Sequence, residues 1–324
     1  MNLKTIFHNR YFEILISLFL LLGVIIVIST PDIPFFKWTA SFAMQTTVLY
    51  VLLGIFFLLI SQERLLFLTF FCAACLSMFL KGNFNPNLKL PVKSQNEVLT
   101  TAFIKLEQSD TGEVNMFEVL KQNPDLICFN KPTNVDNKNL FKLIKKEFHY
   151  SIAFSGRSFE QIIYSKYPFV TADTILLDGN PQVLYSMSFP TSKENVYFIN
   201  TFFSDPLHEE ASTKYRFNLG RLIVYLRPIK SPLIVAGDFN SVSWSGELNY
   251  FKKSLNLEDS RRAFYPSLPN LLETPKDHIF YTDKFSCVDF HEFREWQGRH
   301  LGISSSFQIN NGQIQANKIN QTKR

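Results

Sequence analysis

The sequence predicts an α/β domain that follows three transmembrane helices. Two observations lead to this prediction: long apolar runs fill the chain before residue 81, and short strand-like and helix-like segments alternate after residue 98. The 324 residues suffice for one large domain or two smaller ones. A net charge of +5 is compatible with facing anionic lipid or phosphate esters, but it is too small to indicate a nucleic-acid-binding surface.

The three apolar runs are Ile14–Ile28, Phe42–Ile60 and Leu65–Leu80. Each is near the length needed to cross a bilayer, the third being marginal. The alternative is a signal peptide followed by core helices. It is disfavoured because no small-residue cleavage site follows Ile28 and two more runs come after it. The runs predict a multi-pass membrane protein with the lipid bilayer as a partner.

The orientation of the helices is predicted from charge. Lys4 and Arg10 before the first run favour a cytoplasmic N-terminus, and three crossings then place the rest of the chain outside the cytoplasm. Lys81, Lys89 and Lys93 after the third run oppose this assignment. The extracytoplasmic position is therefore an expectation that the charge bias supports only in part.

Composition divides the chain into four segments. Residues 1–80 form the expected membrane anchor, and residues 81–97 read as a polar linker with two prolines. Residues 98–309 form the expected domain, and the polar residues 310–324 are expected to be disordered.

Strand-like and helix-like patterns mix within the expected domain, which favours an α/β fold over an all-β one. The expected strands are Leu99–Leu106, Asp125–Phe129, Gln161–Tyr164, Val183–Phe189, Val196–Phe203, Leu233–Ala236, Asp277–Tyr281 and Gly302–Ile309. The expected helices are Asn115–Gln122, Asn139–Phe148, His208–Leu226 and Gly246–Leu255.

The most informative motif is Leu233–Asn240, where a buried strand ends on a carboxylate and an amide. Side chains alternate along a strand, so Asp238 and Asn240 are expected to point the same way. An acceptor beside a donor at the end of a core strand suits a phosphate or a metal-bound water. The same turn could also be plain strand-to-loop punctuation.

Five segments follow one another in the second half of the chain: VAGDFNSVSWS, LNLEDSRR, PSLP, KDHIF and QGRHLGI. Their order resembles the endonuclease/exonuclease/phosphatase superfamily, most closely bacterial members with three membrane helices ahead of the domain. The resemblance runs from about Val98 to Ile309. It implies two packed β-sheets flanked by helices (a four-layer sandwich), metal-dependent hydrolysis of phosphate esters, and a place in the bacterial inner membrane.

The resemblance assigns four catalytic positions. Asp238 and Asn240 match the residues that orient the attacking water and contact the phosphate. Asp277 matches the acid that orients a histidine, and His300 matches that histidine. An aspartate can hold an imidazole in one tautomer and raise its basicity, as general-base catalysis requires.

Four other positions depart from the family pattern. Lys105 stands where the family carries asparagine, Lys131 replaces its metal-binding glutamate, Arg299 replaces an aspartate and Phe202 replaces a histidine. Hard divalent ions prefer oxygen ligands, so three cations at the site are expected to exclude Mg²⁺. Lys105, Lys131 and Arg299 are instead candidate anion-binding residues, and no cofactor is expected.

Two functional hypotheses follow. The first is a catalytically impaired binding or scaffold module, whose cations either pair with Asp238 and Asp277 or hold a phosphate-bearing ligand. The second is an active phosphoesterase (a phosphodiesterase, nuclease or phosphatase) in which a cation replaces the metal, or in which Mg²⁺ or Mn²⁺ still binds. Nucleic acid is disfavoured because no dense basic patch with interleaved aromatics occurs, and nothing identifies a protein partner.

Residues near the predicted site are expected to have structural roles and no role in catalysis. Arg261 and Arg262 are expected in a solvated turn, with contact to an anion as the alternative, and Trp244 is expected to pack under the rim of the site.

Overall fold

The computed structural model describes the helical segment and most of the following domain. The described residues are 10–29, 39–83, 98–106, 116–132, 138–156, 159–190, 192–206, 209–261, 274–294 and 298–310. The predicted disordered tail, apart from residue 310, and Arg262 of the expected solvated turn lie outside them.

In the described residues 10–29 and 39–83, three apolar helices precede the domain: α1 (Arg10–Ser29), α2 (Ala43–Leu59) and α3 (Glu63–Asn83). Within the part of the chain that the structure describes, α1 and the stretch Glu63–Gly82 of α3 are long and apolar enough to be candidate membrane spans. The 17 residues of α2 rise about 1.5 Å each and cover roughly 25 Å, which is less than a hydrocarbon core of about 30 Å. The expectation of three spanning helices is therefore supported for two of them. Helix α3 also continues beyond residue 80 into the predicted linker.

The first sheet has six strands in the order β11-β12-β1-β2-β4-β3. Strand β1 lies in its middle, parallel to β2 and antiparallel to β12. The strands are β1 (Leu99–Lys105), β2 (Leu126–Pro132), β3 (Tyr150–Ser155), β4 (Phe159–Ser165), β11 (Phe285–Arg294) and β12 (His300–Ile309).

The second sheet also has six strands, in the order β5-β6-β7-β8-β10-β9. Strands β7 and β8 are parallel, and the remaining neighbours are antiparallel. The strands are β5 (Phe169–Leu177), β6 (Asn180–Met187), β7 (Val196–Phe202), β8 (Leu233–Asp238), β9 (Leu257–Asp259) and β10 (Asp277–Thr282).

Apolar side chains from both sheets form a shared core that includes Phe103, Cys128, Tyr185 and Phe307. Four helices cover the outer faces. Helices α4 (Phe117–Lys121) and α5 (Lys138–Glu147) pack on the first sheet, and α6 (Glu209–Leu226) and α7 (Gly246–Leu255) pack on the second. Two packed sheets flanked by helices confirm the expected α/β sandwich.

Every predicted strand and helix of the domain has a counterpart, with ends shifted by a few residues. Four strands are additional: β3, β5, β9 and β11. Strand β5 is exposed along most of its length and therefore lacks the apolar alternation that marks a strand in a sequence.

Candidate functional site

The candidate site lies at one edge of the sandwich, where both parallel strand pairs end. In the second sheet, Phe202 of β7, Asp238 of β8 and Asp277 of β10 are register neighbours. In the first sheet, Lys105 of β1 and Lys131 of β2 lie at the carboxyl ends of their strands. Parallel strands present these ends at the same edge, so residues far apart in sequence meet there.

Strand β8 requires glycine at position 237, one residue before its end. A Cβ there would collide with the carbonyl oxygen of Thr201 on β7, so only glycine permits this close approach. Asn240 follows with a positive φ of 48°, and its backbone N–H donates to Asp238 Oδ1 at 3.1 Å. The Asn240 side chain donates to the carbonyl of Phe203 at 2.7 Å.

Asp238 is paired with a lysine from the other sheet. Lys105 Nζ lies 2.6 Å from Asp238 Oδ2, and the aspartate side chain is 1% exposed. Burial raises the pKa of Asp238, and the pairing with Lys105 only partly offsets this effect. An ammonium group therefore already faces the carboxylate that the family resemblance assigns to catalysis.

Lys131 is paired in the same way. It lies opposite Glu160 in the register of β2 and β4, and its Nζ is 2.6 Å from Glu160 Oε2. The lysine side chain is buried. Sequence reasoning missed Glu160, because only the strand register brings these two residues together.

His300 lies between two carboxylates. Its Nε2 is 2.6 Å from Asp277 Oδ2 and its Nδ1 is 2.8 Å from Glu292 Oε1. Burial favours the neutral ring, but Asp277 and Glu292 outweigh it and raise the pKa of His300 to about 9. At neutral pH the ring is an imidazolium that donates both protons to carboxylates.

Arg261 completes this cluster. It is 5% exposed, and its Nη2 lies 3.4 Å from Asp277 Oδ1 while its guanidinium covers the ring of Phe290. Although burial opposes ionisation, His300 and Arg261 hold the pKa of Asp277 well below its usual range. The expectation of a solvated turn at Arg261 is wrong, because the residue is a buried partner of Asp277.

The remaining departures from the family pattern behave differently. The ring of Phe202 packs on Phe159 with centroids 3.7 Å apart, so an apolar pair stands at the position where the resemblance expects a histidine. Arg299 is partly buried at this edge, immediately before His300. Its proposed anion-binding role stays a prediction.

The residues present do not fit a divalent metal ion. Within the described ranges, no three His, Cys, Asp or Glu side chains form a group that could hold one. Asp238 and Asp277 instead face Lys105, Arg261 and a protonated His300. A further cation at this edge would have to displace these partners, and each of them belongs to a buried or half-buried pair.

A second buried histidine supports the site loop from behind. His278 Nε2 lies 2.8 Å from the carbonyl oxygen of Ser241, and its Nδ1 lies 3.3 Å from Asp259 Oδ2. Burial opposes ionisation of Asp259, but His278 lowers its pKa well below the usual range. The loop that follows Asn240 is therefore fixed to both β9 and β10.

The same loop contacts the helical segment. Trp244 is 2% exposed, and its indole N–H donates to the carbonyl of Ala40 at 2.9 Å. Trp244 and Val242 share one apolar cluster with side chains of α1, α2 and α3. Trp244 is thus buried against the helices, which differs from the expected packing under the rim of the site.

Solved structures share this fold at low sequence identity. The human Nocturnin catalytic domain, solved with a bound sulfate anion, is 14% identical with a TM-score of 0.53 over 67% of this chain and 98% of its own. An endonuclease/exonuclease/phosphatase from Beutenbergia cavernae is 14% identical with a TM-score of 0.53 over 66% of this chain and 72% of its own. A conserved protein of unknown function from Enterococcus faecalis is 12% identical with a TM-score of 0.50 over 65% of this chain and 100% of its own.

No curated protein matches the sequence. The profile of the Endonuclease/Exonuclease/phosphatase family, in contrast, matches residues 114–305, which is more than half of the chain. This range contains β2, β8, β10 and the first residues of β12, and with them the Asp238 turn and the Asp277–His300 pair. The chain therefore belongs to the endonuclease/exonuclease/phosphatase family.

Proposed function

We propose that this chain is a membrane-anchored family member that binds a phosphate-bearing ligand and has lost metal-dependent hydrolysis. The observation that carries the proposal is the ion pair between Lys105 and Asp238, with 2.6 Å between Nζ and Oδ2. A bound divalent ion would activate a water molecule by lowering its pKa. The lysine ammonium neutralises the carboxylate but supplies no such activation.

The state of His300 supports the loss of hydrolysis. A general base needs an unprotonated nitrogen within reach of the proton it removes. In His300 both ring nitrogens are hydrogen-bonded to carboxylates, and its pKa of about 9 keeps the ring charged at neutral pH. The ring therefore stabilises the cluster of Asp277 and Glu292 and is unable to accept a proton from water.

The net charge of the site edge supports an anionic ligand. Among the described residues that pair around the site, and with His300 protonated, six cationic groups stand against four carboxylates: Lys105, Lys131, Arg261, Arg294, Arg299 and His300 against Glu160, Asp238, Asp277 and Glu292. Lysine and arginine are the usual protein partners of phosphate groups. A phosphate ester would bring this edge closer to neutrality.

The helical segment supports the anchor. Its helices expose large apolar side chains, among them Leu15, Phe19, Phe67 and Met78, each more than three-fifths exposed. An extended exposed apolar surface indicates contact with lipid or with another protein. The lengths of α1 and α3 match the thickness of a bilayer and therefore favour lipid. We place the domain outside the cytoplasm on the basis of Lys4 and Arg10. This placement requires the shorter helix α2 to cross the bilayer together with α1 and α3.

The test is an activity assay on the full chain in lipid nanodiscs. We expect no turnover of a generic phosphodiester such as bis(p-nitrophenyl) phosphate, with or without Mg²⁺ or Mn²⁺. Turnover by the unmodified chain that the variant His300→Ala abolishes would refute the loss of hydrolysis. The variant Tyr250→Ala, altered on an exposed face of α7, controls for contaminating activity and handling.

A further inference from the structure

One loop carries both the site and the contact with the helices. Val242 and Trp244 cluster with Ala43 and Met44 at the start of α2 and with Leu80 near the end of α3. The start of α2 and the end of α3 lie at the same end of the antiparallel helix pair, where the chain leaves for the domain. The site edge of the sandwich therefore faces that end of the helical segment, and the opposite edge points away from it.

The distance along the chain is short. Asn240 and Trp244 are separated by four residue steps, which span at most about 14 Å even when the chain is fully extended. The hydrogen bond from Trp244 to Ala40 and the one between His278 and Ser241 hold both ends of this stretch.

From this placement we infer that the phosphate ligand of the site is the headgroup phosphate of a phospholipid in the bilayer that surrounds the helices. The inference rests on the proposed function and specifies the source of its ligand. If α1 and α3 span the bilayer, the headgroup layer begins where these helices end. The positively charged edge then lies against that layer, and its cations attract anionic headgroups.

Arg299 and Arg261 add the geometry that phosphate recognition uses. Guanidinium groups bind phosphate through two parallel hydrogen bonds. Arg261 is held by Asp277 and is buried, whereas Arg299 is partly buried at the same edge. We expect Arg299 and Lys105, whose side chain is one-third exposed, to reach the headgroup, with Arg261 as a fixed charge behind them.

The test uses the full chain in nanodiscs that contain phosphatidylethanolamine with a photoactivatable diazirine on its headgroup. After illumination, labelled peptides are mapped by mass spectrometry. We expect labels near Lys105, Lys131 and Arg299 and none at the turn Asp283–Lys284, which lies at the opposite edge. Labels confined to the helices, or equal at both edges, would overturn the inference.

Variants of the loop make the test specific. Trp244→Ala should lower labelling at the site edge at least severalfold, because the domain loses its fixed contact with the helix ends. Trp244→Phe, which keeps a ring but lacks the N–H donor, should give an intermediate loss and serves if the alanine variant does not fold. Tyr250→Ala, on an exposed position of α7, should label like the unmodified chain. Unchanged labelling in both Trp244 variants contradicts the inference.

A second experiment distinguishes a lipid headgroup from free phosphate as the ligand of the site. If inorganic phosphate stabilises the full chain in detergent against heat and headgroup labelling is absent, the site takes a soluble phosphate, and the lipid assignment fails while anion binding stands. If the chain hydrolyses a soluble phosphodiester yet is labelled at the site edge, the proposed loss of hydrolysis fails while the lipid assignment stands.

Discussion

Asp238 and Asp277 face each other in the register of β8 and β10, and their surroundings shift their pKa values in opposite directions. Both carboxylates are almost fully buried. Asp238 has one cationic partner, the partly exposed Lys105, and its pKa is raised. Asp277 contacts the imidazolium of His300 and the guanidinium of Arg261, and its pKa is lowered.

The comparison shows that the number of charged partners, more than burial alone, determines the direction in which the pKa of a carboxylate shifts in this site. In the Asp277 cluster, two cationic side chains, His300 and Arg261, keep the carboxylate ionised. The Asp238 turn depends on a single lysine supplied by the other sheet. Changes at Lys105 should therefore have larger consequences than changes of similar size elsewhere in the site.

The largest effect is expected for Lys105→Met. This substitution leaves Asp238 buried and unpaired, which should lower the free energy of unfolding by about 3 kcal/mol, the lower end of the range for a broken buried pair. The measurement is urea unfolding of the full chain in detergent, followed by circular dichroism. The double variant Lys105→Met/Asp238→Asn removes both charges and should recover most of the loss. Equal stability of the single variant and the unmodified chain would contradict the dependence of Asp238 on Lys105.

The second prediction concerns a triple variant that carries the two acids and the amide that the resemblance expects at this site. Lys105→Asn, Lys131→Glu and Arg299→Asp together free Asp238 and place two new carboxylates at the edge beside Glu160. We expect Mn²⁺ to stabilise this triple variant by about 2.7 kcal/mol at one hundred times its dissociation constant. Thermal unfolding with and without Mn²⁺ measures the effect. The unmodified chain serves as the control, and saturable stabilisation of it by Mn²⁺ would count against a replaced metal site.

The third prediction concerns the Asp277 cluster and pH. His300 is protonated in folded and unfolded chains below its ordinary pKa of about 6.5, so its stabilising contribution is complete there. The contribution is lost as the pH rises through about 9, the pKa of His300 in the folded chain. A rise of the His300 pKa from 6.5 to about 9 corresponds to about 3 kcal/mol. Because the His300 side chain is 24% exposed and solvent screens part of the interaction, we expect the free energy of unfolding to fall by roughly 2 kcal/mol over this window. The urea midpoint of His300→Gln should lack this pH dependence; an identical slope in both proteins would exclude His300 as its source.

The smallest effect is expected at an exposed pair of similar geometry. His291 Nε2 lies 2.8 Å from Asp289 Oδ2, but both side chains are more than two-fifths exposed. Solvent screens such a pair, so His291→Gln should change the free energy of unfolding by less than about 1 kcal/mol. Urea unfolding of His291→Gln and of His300→Gln at neutral pH compares the free energies of unfolding that the two substitutions cost. A loss at His291 as large as that at His300 would show that contact distance, and not burial, governs these pairs.

Much of the fold was predictable because its strands are apolar and short. Strand β8 and the turn at Gly237, Asp238 and Asn240 carry local signals, namely a fully buried run and a glycine followed by polar residues. Strand β11 carries a weaker signal, because residues Asp289–Glu292 are partly or fully exposed. Its polar stretch therefore resembles a loop in the sequence.

The charge partners of the site could not be predicted in the same way. Lys131 and Glu160 are brought together by the register of β2 and β4, and Arg261 approaches Asp277 only after β9 pairs with β10. No local pattern encodes such contacts. The family resemblance named Lys105 and its partner Asp238 as residues of one site, but it did not identify Glu160 as the partner of Lys131 or Arg261 as a partner of Asp277.

The position of β1 in the first sheet has a consequence for biosynthesis. Strand β1 is made early, yet one of its two neighbours is β12, which pairs Leu99 with Phe307. Until the ribosome has released β12, the growing chain carries β1 with one open hydrogen-bonding edge. Such long-range pairing slows folding and exposes the intermediate to aggregation. The domain should therefore need protection by a chaperone during synthesis, and its site forms only when synthesis has passed β12.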